Sequence, residues 1–240
     1  MQEMRDRVMV ITGATSGFGR ATAEVFYKRG VRVLAAGRNE NRLKSTKEEI
    51  GDIDYFKLDV TKPDEWQKLF DHVVSHYGKI DILVNNAGGA IELKDITEQS
   101  TETIDAIIAL NLNSVIYGSR IFAMLMKKQK NGTIVNISSA CATEAWPKFG
   151  AYSAAKAGVV AFSKGLYVEL RPFGIRVTSI IPGAGRTNFS KNAGIAEPDT
   201  PFVLEAKDMA EVIYHVCSMP QHIEVEEYRF WGTDQEVIPL

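Results

Sequence analysis

Ser139, Tyr152 and Lys156 are the residues of this 240-residue chain whose types and spacing could do chemistry together. The stretch from Phe149 to Gly158 is rich in small helix formers and holds no proline. It reads as a helix, on which residues four apart share a face, and that sets the Lys156 ammonium beside the Tyr152 phenol. A free phenol titrates near about 10, too high to trade protons readily at neutral pH. A neighbouring cation favours phenolate and lowers that value, which is the tuning a general acid or base requires. Ser139, thirteen residues before the tyrosine, offers a second hydroxyl to hold a carbonyl oxygen while the phenol donates to it. A surface tyrosine and lysine on an ordinary helix would show the same spacing, so the pair takes its meaning from the rest of the chain.

The elements that must position these groups alternate regularly. Short apolar runs at 8–12, 31–36, 55–58, 80–85, 132–138 and 175–181 read as strands. Helical periods lie between and after them, at 18–29, 40–50, 63–77, 102–129, 151–171 and 206–218. Continuous apolar runs such as Ile134-Val135-Asn136-Ile137 suit strands buried on both faces. The rhythm predicts right-handed crossovers and a doubly wound parallel α/β sheet. No repeat, low-complexity tract or linker divides 1–240, which reads as one domain. The irregular stretch 182–201 holds three glycines and three prolines. Loops that long in a compact domain are usually functional, and a substrate lid is expected at about 183–205.

A ligand for the sheet is written after the first strand. Thr12-Gly13-Ala14-Thr15-Ser16-Gly17-Phe18-Gly19 leads into a helix. Glycines at this spacing allow a tight turn and bring a pyrophosphate to a helix amino terminus, whose free N–H groups and dipole favour anions. An acidic residue at the end of the second strand would hold the 2′-hydroxyl of NAD, whereas arginine accommodates a 2′-phosphate. The chain has Gly37 at that place, then Arg38, with Arg42 one turn on. A guanidinium can fork onto phosphate and stack on adenine. NADP(H) is the expected cofactor.

The Thr-Gly-x-x-x-Gly-x-Gly turn, Asn85-Asn86-Ala87-Gly88, Asn111, Ser139, Tyr152-x-x-x-Lys156 and Pro182-Gly183 together resemble, in order and spacing, the short-chain dehydrogenase/reductase family. The resemblance covers 12–187 and implies a Rossmann-type sheet of about seven strands with helices on both faces. It implies catalytic roles for four residues. Tyr152 would be the acid/base, Ser139 would orient the substrate oxygen, Lys156 would bind the nicotinamide ribose, and Asn111 would hold a water linking Lys156 to solvent. Cofactor contacts are implied for Gly13, Thr15, Ser16, Gly17, Phe18, Gly19, Arg38, Arg42, Asp59, Asn86, Ala87, Gly88, Tyr152, Lys156, Pro182, Gly183 and Thr187, with Asp59 near the adenine and Thr187 at the carboxamide. The family is generally tetrameric, so a homotetramer is expected, with a dimer as the alternative and the helices at 102–129 and 151–171 at its interfaces. The chain lacks the Asp-Gly-Gly segment common near the end of family members. Its tail, from Met219 to Gln235, resembles that of the NADP-dependent 3-hydroxy acid (serine-type) dehydrogenases. A second departure is Ala184-Gly185-Arg186, where relatives carry a bulkier aliphatic residue near Gly185, which suggests a looser nicotinamide pocket.

The expected activity is therefore a reversible, NADP-dependent oxidation of a small alcohol, a 3-hydroxy acid or similar. A broad ketone or 3-oxoacyl reductase is the first alternative, and a non-catalytic NADP(H)-sensing regulator the second. Cys141, Trp146, Phe149, Arg186 and Phe189 are the expected substrate neighbours. Arg186 and Lys191 on the lid are candidates to pair with an anionic substrate tail, or else with Glu144, Glu197 or Asp199. Composition argues against other classes. A net charge of −2 gives no basic field for nucleic acid, and there is no polybasic membrane patch. Two cysteines make no disulfide framework, and no Cys/His cluster suggests a metal; His72 and His76, four apart, lack a third ligand. The charged amino terminus has no signal-peptide pattern and no apolar run suggests a membrane span. A cytoplasmic location is expected.

Overall fold

The computed structural model describes residues 1–194 and 201–235. Its strands are β1 (Val8–Thr12), β2 (Arg32–Gly37), β3 (Asp54–Lys57), β4 (Ile82–Asn85), β5 (Gly132–Ile137), β6 (Ile175–Pro182), β7 (Gly185–Arg186), β8 (Leu204–Glu205) and β9 (Glu227–Phe230). Its helices are α1 (Gly17–Lys28), α2 (Glu40–Ile50), α3 (Pro63–Tyr77), α4 (Thr101–Ile108), α5 (Ser114–Gln129), α6 (Gly150–Leu170), α7 (Phe189–Ala193) and α8 (Ala206–Ser218). Seven strands form one parallel sheet in the order β3-β2-β1-β4-β5-β6-β9, and β7 pairs with β8 beside it. The order reverses between β1 and β4. In open α/β sheets ligands bind at the carboxyl ends of the strands beside such a reversal.

Strand residues alternate between two cores. Met9, Ile11, Val33, Ala35, Ile82 and Val84 face one layer, closed by Phe26 of α1 and Met209, Ile213 and Val216 of α8. Val10, Leu34, Ala36, Leu83 and Ile134 face the other, closed by Trp66 and Leu69 of α3, Phe122 and Met126 of α5, and Leu166 and Leu170 of α6. Both faces of the central strands are covered, which explains their near-continuous apolar sequences. The run Thr101–Gln129 is long and apolar enough by composition to cross a membrane, yet half of its most apolar window is buried inside the protein.

The six strands expected from sequence form within two residues of their expected ends. Three differences were not foreseen. The stretch 102–129 is not one α-helix, because a π-turn at Ala109–Asn113 separates α4 from α5. The tail adds β9, parallel to β6, with Ser179 opposite Glu227 and Pro182 opposite Phe230. The lid folds partly as β7, α7 and β8, and its residues 195–200, including Glu197 and Asp199, lie outside the described residues.

Candidate active site

A cavity of about 560 Å³ opens at the carboxyl ends of β1, β2, β4, β5 and β6. One end is built by the β1–α1 turn. Gly13 has φ +67° and Gly17 has φ +52°, a region that favours glycine. A Cβ on Gly19 would lie 2.3 Å from the Gly13 carbonyl oxygen, so the turn closes only without a side chain there. Ser16 caps α1 without using its side chain, which leaves the hydroxyl and the first N–H groups of the helix to an anion. Thr12 ties the turn to the next strand, its Oγ1 accepting from the backbone N–H of Asn86 at 3.1 Å and of Ala87 at 3.0 Å. Gly13, Thr15, Ser16, Gly17, Phe18, Gly19, Asn86, Ala87 and Gly88 all line this end.

Beside it, β2 ends in Gly37, followed by exposed Arg38. Arg38 and Arg42 both border the cavity, and Asn39 caps α2 by accepting from the Arg42 backbone N–H at 3.0 Å. Asp59 does not line the cavity; its neighbours Leu58 and Val60 do. The Asp59 carboxylate turns back to Thr61, accepting from its N–H at 3.0 Å and its hydroxyl at 2.8 Å. Burial would raise its pKa, but these bonds and the Arg38 and Lys62 charges outweigh that and hold it below the ordinary carboxylate value.

At the other end, β5 delivers Ser139 and α6 delivers Tyr152 and Lys156. Two hydrogen bonds lock the strand to the helix: Ser138 Oγ donates to the Lys156 carbonyl at 2.8 Å, and Lys156 Nζ donates to the Ile137 carbonyl at 2.9 Å. Tyr152 is 6% exposed and Lys156 3%. The ammonium lies 5.7 Å from the phenol ring centroid. A Cβ on Gly88 would fall 2.9 Å from Asn111 Oδ1 and 3.1 Å from Lys156 Nζ, so this glycine brings the carboxamide and the ammonium to one backbone point. Asn111 is fully buried and does not line the cavity. The π-turn aims it at Gly89, whose N–H it accepts at 2.9 Å and whose carbonyl it donates to at 3.0 Å. Such turns inside helices occur often at functional sites.

The electrostatics correct one expectation. The phenol is not tuned down by its neighbouring cation. Burial pushes the Tyr152 pKa up, the Cys141 sulfur adds to the push, and the hydrogen bond with Ser139 offsets part of it. Burial also lowers Lys156 to about 8. The lysine is still mostly protonated at neutral pH, but its proton is held less tightly than that of a free lysine. Burial likewise raises the Cys141 thiol.

The end of the cavity beside Tyr152 is walled by Cys141, Trp146, Phe149 and Phe189, with Ala90 and Ala140. Phe149 meets Tyr152 edge-on at 6.0 Å and Phe189 meets it at 5.7 Å. Arg186 does not join this wall. It sits on β7, exposed, and its Nε pairs with Glu205 Oε1 at 3.5 Å across to β8. The pairing of those two strands carries its side chain outward. Lys191 is exposed and also outside the wall. Nor is the pocket looser at Gly185: a Cβ there would lie 2.4 Å from Phe18 Cζ, so the Phe18 ring fills the place of the missing aliphatic side chain. Pro182, Gly183 and Thr187 complete the rim. Sequence reasoning missed Gln235, whose Oε1 accepts from the Ala184 N–H at 2.7 Å. No local motif marks it; only the pairing of β9 with β6 brings the tail there.

The chain is similar over nearly its whole length to known proteins. Residues 7–198 match the short chain dehydrogenase family. An uncharacterized oxidoreductase of Staphylococcus saprophyticus is 36% identical over 95% of this chain and 97% of its own. A serine dehydrogenase in its closed form with NADP+ superposes with a TM-score of 0.92 at 29% identity, over 97% of this chain and 98% of the other. An alcohol dehydrogenase of the archaeon Thermococcus sibiricus with 5-hydroxy-NADP gives 0.88 at 25% identity, covering 98% and 100%.

Proposed function

Because this chain belongs to the short-chain dehydrogenase family, we propose that it is an NADP(H)-dependent oxidoreductase interconverting a small alcohol and its carbonyl. The observation that carries this reading is the meeting of Ser139, Tyr152 and Lys156 in one cavity whose far end is a side-chain-free turn flanked by arginines. The residues present fit a dinucleotide. Gly13, Gly17 and Gly19 leave room no Cβ would allow, Ser16 has an unused hydroxyl at a helix amino terminus, and Arg38 follows a Gly37 that leaves no carboxylate to repel a 2′-phosphate. Two relatives of known structure were solved with NADP forms, which supports the same preference.

When bound, NADPH would supply hydride to the carbonyl carbon and leave as NADP+. The chain's own residues handle the oxygen. Ser139 holds it by hydrogen bonding while the Tyr152 phenol donates its proton, completing the alcohol. A phenol raised above its ordinary pKa stays protonated at neutral pH, which suits donation in the reductive direction. Lys156, near its own titration point, resupplies that proton, and Asn111 positions the Gly88–Gly89 backbone beside it.

Cofactor choice tests this reading. Wild-type kcat/KM is expected to be higher with NADPH than with NADH. Gly37→Asp with Arg38→Ser should reverse the order, since a Cβ at Gly37 meets the Thr15 methyl at 3.4 Å and the Leu43 side chain at 3.7 Å, ordinary contacts that leave room for an aspartate. A wild type that prefers NADH would remove the proposal. The likeness to a serine dehydrogenase makes a 3-hydroxy acid one candidate substrate among small alcohols. Such a substrate brings a carboxylate, which needs a partner in the site.

A further inference from the structure

From the wall of the substrate end we infer that the physiological substrate is neutral there: an uncharged ketone or aldehyde carrying a branched or aromatic group, with its alcohol, rather than an anionic hydroxy acid. The inference rests on the carbonyl-reductase reading above and narrows its substrate class. Three charged residues border the described cavity, Arg38, Arg42 and Lys156. The arginines follow β2, and Ser139 follows β5. Those strands are three places apart in the sheet, about 14 Å at ordinary strand spacing, so neither arginine reaches a group bound at Ser139. Lys156 is 3% exposed and its ammonium is held by the Ile137 carbonyl.

Among the described residues, the other cations close in sequence to the wall, Lys94 included, border no part of the cavity. Arg186 pairs with Glu205 and Arg229 with Glu144 at 3.8 Å; Lys148 and Lys191 are exposed and border no part of the cavity. Residues 195–200 and 236–240, outside the described ones, contain no lysine, arginine or histidine and three acidic residues. What lines this end instead is Trp146, with Phe149, Phe189 and the Cys141 thiol packed against the Tyr152 cluster. Burial raises that thiol above its ordinary pKa, which keeps it uncharged at neutral pH. A carboxylate placed in this wall would lose water and gain no counter-charge, whereas an ester, alkyl or aryl group would bury apolar surface.

The experiment compares matched pairs in the NADPH-dependent reduction: acetoacetate against methyl acetoacetate, and phenylglyoxylate against methyl phenylglyoxylate. The neutral member of each pair is expected to show the higher kcat/KM, by about 100-fold. Arg186→Ala should leave that ratio unchanged. Phe149→Ala should raise KM for the phenyl ester about tenfold while NADPH affinity, read by cofactor fluorescence, stays at the wild-type value. That affinity also confirms that the variant is folded. Carboxylates turned over as well as or better than their esters would overturn the inference alone. Lys148→Ala and Lys191→Ala would then show which cation had been misplaced. If NADPH bound and no member of either pair, nor a wider set of aldehydes, were reduced, the carbonyl-reductase reading itself would fall.

Discussion

Tyr152 and Lys156 share a helix face and a buried pocket, and it is the burial that sets their proton chemistry. Tyr152→Phe removes the donor while keeping the ring against Phe149 and Phe189. It should cut kcat by about 10²–10⁴-fold with NADPH affinity nearly unchanged, and near-normal turnover would rule out the phenol as acid. Lys156→Ala should damage both kcat and cofactor affinity, because on the family's pattern the ammonium would serve both. With Lys156 lowered to about 8, reduction should slow as pH rises through that value. Below it the lysine holds the proton that Tyr152 needs; above it the lysine does not. A kcat/KM profile flat between pH 7 and 9 would count against a resupplying lysine. At this scale the sequence carries position but not charge state. Spacing put the hydroxyls and the ammonium in one place, but a four-residue interval carries no information about desolvation, which reverses the direction of the tyrosine shift. Arg186 was misjudged because its partner Glu205 lies nineteen residues away, on a strand too short to leave a pattern.

Elements place these residues, and two junctions carry most of the precision. The π-turn between α4 and α5 keeps Asn111 on Gly89, and periodicity could not reveal it, since the apolar pattern runs on across 102–129. The other junction is the contact of Phe18, one residue into α1, with Gly185 on β7. A leucine at 185 would drive into the Phe18 ring. We expect Gly185→Leu to lower the melting temperature by several degrees, an overpacking cost of about 1–3 kcal/mol, and to weaken NADPH binding. Adding Phe18→Ala should recover at least half of both losses, because residues in contact couple. Losses that simply add would show that the ring is not what occupies the space. Strand and helix positions were legible because aliphatic runs and helical periods are local signals. The tail strand β9 is too short to stand out from its neighbours, although Glu227-Tyr228-Arg229-Phe230 alternates polar and aromatic residues as an edge strand does.

At the scale of the whole molecule, the two cores hold the sheet while a few buried charges hold the tail to it. Arg176, 5% exposed, donates to the carbonyls of Val216, Cys217 and Met219 at the end of α8 and to Thr133 Oγ1. Glu224 stands nearby, accepting from the Val177 N–H at 3.3 Å through one oxygen, while the other has no partner. Burial raises Glu224 to about 7, with Glu226 adding and Arg176 opposing. A carboxyl raised on folding is bound to its proton more tightly in the native state. Its stabilisation is full below the unfolded value near about 4.3 and is lost as pH climbs through about 7. Glu224→Gln should therefore gain melting temperature relative to wild type between pH 5 and 8; a constant difference would argue against the shift. We also propose a homotetramer, supported by the family resemblance and by exposed Met124 and Val168 on α5 and α6. Light scattering at micromolar concentration should find more than one copy per particle, and a monomer would contradict it. The single sheet could be foreseen from the βαβ rhythm, whereas the closure of the pocket by Gln235 depends on a contact 51 residues apart. That contact orders events during biosynthesis. A growing chain that has emerged only through β6 leaves that strand's outer edge bare, a template for mispairing with other nascent chains, and its Ala184 amide without the Gln235 oxygen. The stretch made late pairs with that edge and supplies that oxygen, so the last strand of the sheet and the rim of the pocket are expected to form together.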